Sequence, residues 1–332
     1  MDFSGLAAMA GAHAEARAIQ TAVKLGLFEA LDRKSLDAAG LARALGCDPR
    51  ATGMMAAAMA STGLLEVTNG RYSLSAAARR YLLRSSDEYL GGMILFDEAI
   101  FPLWSHLDDT IRSGKPARVP DMFQSKPADT ARFIRAMDSL TRARGDARWV
   151  AEHLDLSRVT TVADLGGGPG TYLAAMLRRN PALRGYVWDL PATLAVAREV
   201  LAEREAEVAG RIELKSVDYL RDDLPGPVDA IFLSNIIHSE DEQTNAEMVR
   251  KCAHAIARGG IIIIKDHVMN SDFTEPRAGA IFSLYLLLTT RGRDYSLDEI
   301  AGWLGAAGFA NVRIQTLPSP PFTSSLVTAR KL

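Results

Sequence analysis

Val159-Thr160-Thr161-Val162-Ala163-Asp164-Leu165-Gly166-Gly167-Gly168-Pro169-Gly170-Thr171 is the stretch on which the reading of the chain turns. Its first half is rich in β-branched residues and reads as a buried strand. The second half packs four glycines into five positions, and residues 172–179 after it have helical spacing. In a strand–glycine turn–helix unit, the amides at the helix start face whatever lies over the turn, and the missing side chains let a ligand approach the main chain. A dinucleotide site asks for G-x-G-x-x-G. Here Gly166, Gly168 and Gly170 give G-x-G-x-G, with Thr171 where the third dinucleotide glycine would stand. Asp164, just ahead of the turn, would repel a phosphate but suits the amino group and positive charge of S-adenosylmethionine. A methyl-donor site is the expectation, with a dinucleotide site as runner-up.

Outward from this stretch, strands alternate with helices. Candidate strands fall at 159–165, 185–188, 211–217, 228–233, 260–265, 310–315 and 325–329, and helices at 172–179, 194–209, 245–257 and 297–307. This alternation predicts an α/β domain with a mainly parallel sheet covered on both faces. The last two strands have no helix between them, so one of them is expected to be antiparallel.

The region before the domain is built differently. Residues 1–90 are rich in Ala, Leu and Met with helical periodicity. Ala18, Ala22, Leu25 and Phe28 line one face of a first helix, 35–46 forms a second with a glycine stop, and Asp48-Pro49 caps a third. Asn69-Gly70 between two short apolar runs predicts a hairpin. Three helices and a hairpin make a winged helix. Its third helix carries only Arg50 as a basic group, so the expectation is dimerisation rather than DNA binding. Residues 91–155 read as a helical linker, with helices at 93–111 and 129–143. Its Met and aromatic side chains are core candidates that also offer an apolar wall for a small molecule. The expected domains are therefore 1–90, 91–155 and 156–332.

The 332 residues are 48% hydrophobic and 23% charged, with a net charge of −2, which fits a globular protein and argues against a general nucleic-acid or anionic-membrane binder. The two cysteines, Cys47 and Cys252, have no metal-ligand spacing and read as reduced thiols of a cytoplasmic protein. No apolar run is long enough to span a bilayer.

Ligands of open α/β sheets sit at the carboxyl ends of the strands. Those ends carry Asp164, Asp189, Asp218, Asn235 with His238, and Asp266. Asp189, about twenty residues past the glycines, is placed to accept ribose hydroxyls. Asp-Leu-Gly-Gly-Gly-Pro-Gly at 164–170, Trp-Asp-Leu-Pro at 188–191, Val-Asp-Tyr-Leu at 217–220 and Ile-Ile-His-Ser-Glu-Asp-Glu at 236–242 resemble the caffeate-type small-molecule O-methyltransferases, the bacterial branch in particular. The resemblance covers nearly the whole chain.

The resemblance implies a Rossmann-like class I methyltransferase domain with a seven-stranded sheet and an N-terminal winged-helix domain that forms a homodimer. The implied cofactor is S-adenosylmethionine, with S-adenosylhomocysteine as product and no metal. Gly166, Gly168 and Gly170 would lie against the donor's methionine part. Asp189 and Leu190 would hold the ribose, Asp218 and Tyr219 the adenine, and Ser234 and Asn235 would also line the cofactor. Ser234 stands where plant relatives have a lysine. His238 matches the general base, and Asp266 and Asp294 match its two flanking acids, which are usually glutamates. Met93, Phe96, Trp104, Met137, Arg142, Phe282 and Tyr285 are the candidate substrate contacts.

Two departures bear on the substrate. Ser239-Glu240 replaces the family's Asp-Trp after the histidine, and arginines at 142, 144, 148, 291 and 293 would suit a carboxylate. O-methylation of a small aromatic hydroxyl is the primary expectation. S-methylation of a carboxylate-bearing non-aromatic molecule and a non-catalytic regulator that binds S-adenosylmethionine are the alternatives.

Overall fold

The computed structural model describes residues 1–317 and 324–332. The chain forms two compact units: Met1–Phe101 with Ala136–Arg144, and Pro102–Arg135 with Gly145–Leu332. The expected linker at 91–155 is therefore shared between the units.

In the first unit a helix runs from Phe3 to Lys24, followed by helices Ala38–Leu45 and Pro49–Ser61. Strands β1 (Leu65–Thr68) and β2 (Arg71–Leu74) then form an antiparallel hairpin. Asn69 and Gly70 both have positive φ, 50° and 71°, as a two-residue turn of this hand requires. Asp48 caps the third helix by accepting from Ala51 N at 2.8 Å, with Pro49 in its first turn, as expected. Two details differ from the sequence reading. The second helix starts at Ala38 with Asp37 as its cap, because Leu36 is drawn into a bridge with Tyr72 of the hairpin. Leu25 is 46% exposed rather than on the buried face: the helix ends at Lys24 and the chain turns at Gly26, which sends Leu27 and Phe28 into the core instead. They pack there with Ala22, Leu31, Leu41, Met59 and Leu74.

The second unit is built on a seven-stranded sheet. Its strands are β3 (Thr161–Leu165), β4 (Arg184–Asp189), β5 (Ile212–Ser216), β6 (Val228–Ser234), β7 (Ile256–Asp266), β10 (Phe309–Thr316) and β11 (Ser325–Lys331). Two-residue strands β8 (Val268–Met269) and β9 (Tyr295–Ser296) pair separately. The sheet order is β10-β11-β7-β6-β3-β4-β5. Strands β3 to β7 are parallel, and β11 is antiparallel to both neighbours; the sequence between β10 and β11 is too short for a parallel crossover. Side chains alternate between two cores: Leu165, Leu233, Ile264 and Val327 go to one face, and Val162, Phe232, Ile263 and Leu326 to the other.

The helical segments before the sheet needed tertiary context. The expected helix at 93–111 is interrupted: Gly91–Ile100 gives way to a 3₁₀ turn over Phe101–His106 and a short helix Leu107–Ser113. Pro102 lacks the amide that would continue the first helix. Helices Asp146–His153 and Arg277–Thr289 were not foreseen, and the one expected at 194–209 breaks at Glu205. No described helix is long and apolar enough to cross a membrane.

Candidate active site

The glycine turn is held open by close contacts. Gly166, Gly168 and Gly170 have φ of 65°, 54° and 77°, a region that L side chains avoid. A Cβ on Gly166 would sit 2.4 Å from Ile236 Cδ1, and one on Gly167 would lie 2.7 Å from the Asp164 carboxyl carbon. Gly168 donates its amide to Asp189 Oδ2 at 2.8 Å, and Leu190 N donates to Asp189 Oδ1 at 2.7 Å. Val217 N donates to Asp189 O at 3.0 Å, which draws the ends of β4 and β5 together and sets Asp189 near Asp218. The turn after β5 is fixed by Asp218 Oδ1, which accepts from Leu220 N at 3.0 Å. Tyr219 donates its hydroxyl to Glu240 Oε1 at 2.8 Å. Burial pushes that phenol well above its ordinary range, so it stays a donor.

Asp164 tests whether the cofactor fits. It is 1% exposed, and neither carboxylate oxygen has a hydrogen-bond partner among the described residues. Burial, then the nearby Asp189, pushes its carboxyl up to about 8. A buried acid without donors beside a bare glycine turn calls for a ligand that brings a cation. The ammonium group of S-adenosylmethionine meets that need, and a phosphate would not.

Ser234 and Asn235 end β6. Asn235 adopts φ 56° and donates its side-chain amide to Ser234 Oγ at 3.3 Å. Lys265 pairs with Ser234 across the β6–β7 ladder, is fully buried, and points its Nζ at Asp146 Oδ2, 3.3 Å away, and Asn235 Oδ1, 3.4 Å away. A charged residue closing a run of four isoleucines was its signal in the sequence.

His238 lies on a short 3₁₀ turn, Ile237–Ser239. Asn245 pins that turn by donating to Ile237 O at 2.8 Å and Glu240 O at 3.1 Å, and Tyr295 donates its hydroxyl to Glu240 O at 2.6 Å. Gly292 packs so closely that a Cβ would lie 2.3 Å from His238 O. The His238 imidazole is 7% exposed, with Nδ1 2.7 Å from Asp266 Oδ1. Burial opposes its charged form, but the charge and hydrogen bond of Asp266 outweigh that and leave it above the ordinary histidine value. Asp266 is itself held below the usual carboxylate range by His238, against burial. Donor atoms of His238, Asp266 and Asp294 all lie within 4.8 Å of one another. The 2.7 Å hydrogen bond gives the trio an imidazole–carboxylate pair suited to acid–base chemistry.

Three of the candidate substrate contacts converge here. Phe282 meets His238 edge-on at 5.2 Å between ring centroids, stacks on Tyr285 at 5.5 Å, and Tyr285 meets Trp104 at 6.4 Å. Met93, Phe96, Met137 and Arg142 belong to the other unit. Arg142 points its Nε at both carboxylate oxygens of Asp138, at 2.8 and 2.9 Å. Arg293 pairs with Glu299 and Glu242. These arginines are engaged by the chain's own carboxylates.

Comparison with known proteins agrees with this fold. Residues 104–310 match the O-methyltransferase domain family, and residues 8–84 match the O-methyltransferase dimerisation domain. The chain belongs to the O-methyltransferase family. It is 34% identical to the 3-hydroxy-5-methyl-1-naphthoate 3-O-methyltransferase of Streptomyces sahachiroi, over 91% of this chain and 88% of that one. It is 30% identical to the tetracenomycin polyketide synthesis 8-O-methyl transferase of Streptomyces glaucescens, over 92% and 90%. The solved structure of PigF with S-adenosylhomocysteine superposes with a TM-score of 0.88 at 26% identity, covering all of both chains. Human N-acetylserotonin methyltransferase in complex with S-adenosylmethionine shares the fold, with a TM-score of 0.89 at 21% identity over 100% of this chain and 98% of that one. This O-methyltransferase is an S-adenosylmethionine-dependent enzyme with a class I methyltransferase fold.

Proposed function

We propose that the enzyme methylates a hydroxyl on a small, hydroxylated aromatic metabolite, with His238 as general base. The observation that carries this reading is the 2.7 Å His238–Asp266 pair at the end of the Phe282–Tyr285–Trp104 row of rings. The relatives named for naphthoate and tetracenomycin support an aromatic acceptor of polyketide type. S-adenosylmethionine supplies, when bound, a methyl group on a positively charged sulfur open to in-line displacement.

The protein's part is positioning and proton removal. The Gly166–Gly170 turn leaves room for the donor's methionine end, Asp164 would hold its ammonium group, Asp189 and Leu190 its ribose, and Asp218 and Tyr219 its adenine. Ser234 and Asn235 complete that wall. Neutral His238 removes the acceptor's proton as its oxygen attacks. Asp266 fixes the imidazole tautomer and stabilises the imidazolium that forms. Phe282, Tyr285 and Trp104 orient the acceptor ring. No step requires a metal, so a chelator leaves the rate unchanged.

His238→Ala tests the reading: kcat should fall by about 10²- to 10⁴-fold with little change in the KM for S-adenosylmethionine. Turnover near that of the unsubstituted enzyme would remove the base. The reading also takes residues 1–90 as a dimerisation domain, 91–155 as a helical linker and 156–332 as the catalytic domain of a cytoplasmic homodimer. The dimerisation-family match and exposed Phe3, Leu6 and Met54 support self-association. A monomeric mass by light scattering at micromolar concentration would overturn it.

A further inference from the structure

We propose that His267 and Asp294 form a second imidazole–carboxylate pair in the active site, and that His267 is a positioning residue that holds the Asp294 carboxylate beside the His238–Asp266 pair. This rests on His238 acting as base.

The fold brings the two residues level. Strands β8 and β9 pair in parallel, Val268 with Tyr295 and Met269 with Ser296. The residue preceding each strand is therefore His267 or Asp294. His267 Nδ1 lies 3.4 Å from Asp294 Oδ2, in ion-pair range. Both side chains are buried, at 7% and 1% exposure. Helix Arg277–Thr289 closes over them because residue 279 is glycine. A Cβ there would come within 2.5 Å of Met269 Sδ and 3.2 Å of Asp294 Oδ2. From the same helix Ser283 sets its Oγ 3.4 Å from Asp294 Oδ2 and accepts from Asp294 N at 3.1 Å.

His267 also touches the first pair. Its backbone amide donates to Asp266 Oδ1 at 3.0 Å, the same oxygen that meets His238. One residue thus sets both acids, Asp266 through its main chain and Asp294 through its ring. The two imidazoles stand edge-on to Phe282 at 5.2 and 5.4 Å, with interplanar angles of 82° and 88°.

The charges facing each group define what His267 does. His238 feels Asp266, Asp294 and Lys265, and Asp294 feels His267, His238 and Asp266. Burial pushes the Asp294 carboxyl up, and His267 is the foremost influence opposing it. Without His267, Asp294 loses charge. His238 then loses part of the field that favours its imidazolium, the species formed as the proton leaves the substrate. The acidic limb of the pH–rate profile, where His238 must be neutral, moves to lower pH while the plateau falls.

The test is kcat against pH for His267→Phe, His267→Gln, Asp294→Asn and His238→Ala, with S-adenosylhomocysteine affinity as a check on folding. His267→Phe and Asp294→Asn should each lower the plateau several-fold and move the limb to lower pH by about half a unit or more. His267→Gln keeps an N–H and should restore most of both. The double variant His267→Phe/Asp294→Asn should be no worse than Asp294→Asn alone. A limb that does not move in His267→Phe, or losses that add fully in the double variant, overturns the inference while His238 stands. Full turnover by His238→Ala overturns the base and this inference with it.

Discussion

Asp164 should make cofactor binding depend on pH. Its carboxyl is pushed up to about 8 by burial and by Asp189, and both oxygens lack partners among the described residues. Only the ionised form answers a ligand ammonium. With a value near 8, about one molecule in ten carries the charge at pH 7, so apparent affinity there is about tenfold below its alkaline plateau. Calorimetric titration with S-adenosylhomocysteine, which keeps the ammonium, should show Kd falling about tenfold per pH unit up to that value and levelling beyond it.

The same residue sets a stability trend of opposite sense. A carboxyl raised in the folded state binds more protons folded than unfolded, so its stabilising contribution is greatest at acid pH. That contribution is lost as pH climbs from the ordinary value of 3.8 toward 8. At about 1.36 kcal/mol per pH unit the ceiling is roughly 6 kcal/mol. Asp164→Asn removes the charge at constant shape. It should raise the alkaline Tm of the ligand-free enzyme, weaken S-adenosylhomocysteine binding and flatten its pH dependence. A variant that binds with unchanged affinity and unchanged pH slope refutes the argument, because the ammonium then lies elsewhere.

Three further substitutions probe the surrounding groups. Asp266→Asn keeps a hydrogen-bonding amide 2.7 Å from His238 but removes the charge. kcat should fall about ten- to hundredfold, and the acidic limb should move to lower pH as burial prevails on the imidazole; a limb that stays in place would separate Asp266 from the base. Glu240→Ala leaves the Tyr219 hydroxyl without its acceptor, so the KM for S-adenosylmethionine should rise about five- to tenfold with kcat nearly constant, as initial rates at varied cofactor would show. Lys265→Met takes the buried ammonium from Asp146 and should cost about 3–5 kcal/mol in chemical denaturation, most of it recovered in Lys265→Met/Asp146→Leu.

What could be read from the sequence follows how local each signal is. The glycine turn, the seven strands, the Asn69-Gly70 hairpin and the Asp48-Pro49 helix start each depend on a few adjacent residues, and all appear in the structure. Asp189, Asp218 and His238 could be placed along one edge of the sheet because the carboxyl ends of parallel strands share it. Interactions between distant segments were not legible. Nothing local says that Lys265 reaches Asp146, that Glu240 holds Tyr219, or that two-residue strands level His267 with Asp294. The Leu25 and Leu36 differences have the same cause: a turn at Gly26 and a bridge to Tyr72 override helical periodicity.

If His238 is the base, as proposed, the two acids around it explain why the site would need one. Buried carboxylates at Asp266 and Asp294 would oppose a free phenolate beside His238, because like charges repel more strongly in a buried setting than in water. An acceptor that ionised first would meet that repulsion in full. Moving the proton to His238 as the oxygen attacks keeps the balance: the imidazolium appears between the two acids while the oxygen's charge is consumed by the methyl it receives. An acceptor already ionised in solution should gain little from His238 and bind poorly to the intact site. It follows that acidic phenols should be worse substrates than weakly acidic ones for the unsubstituted enzyme, and that His238→Ala should narrow or invert the difference. A panel of phenols of graded acidity, compared by kcat/KM in both proteins, reads this directly. Parallel trends in the two proteins would show that His238 handles no proton.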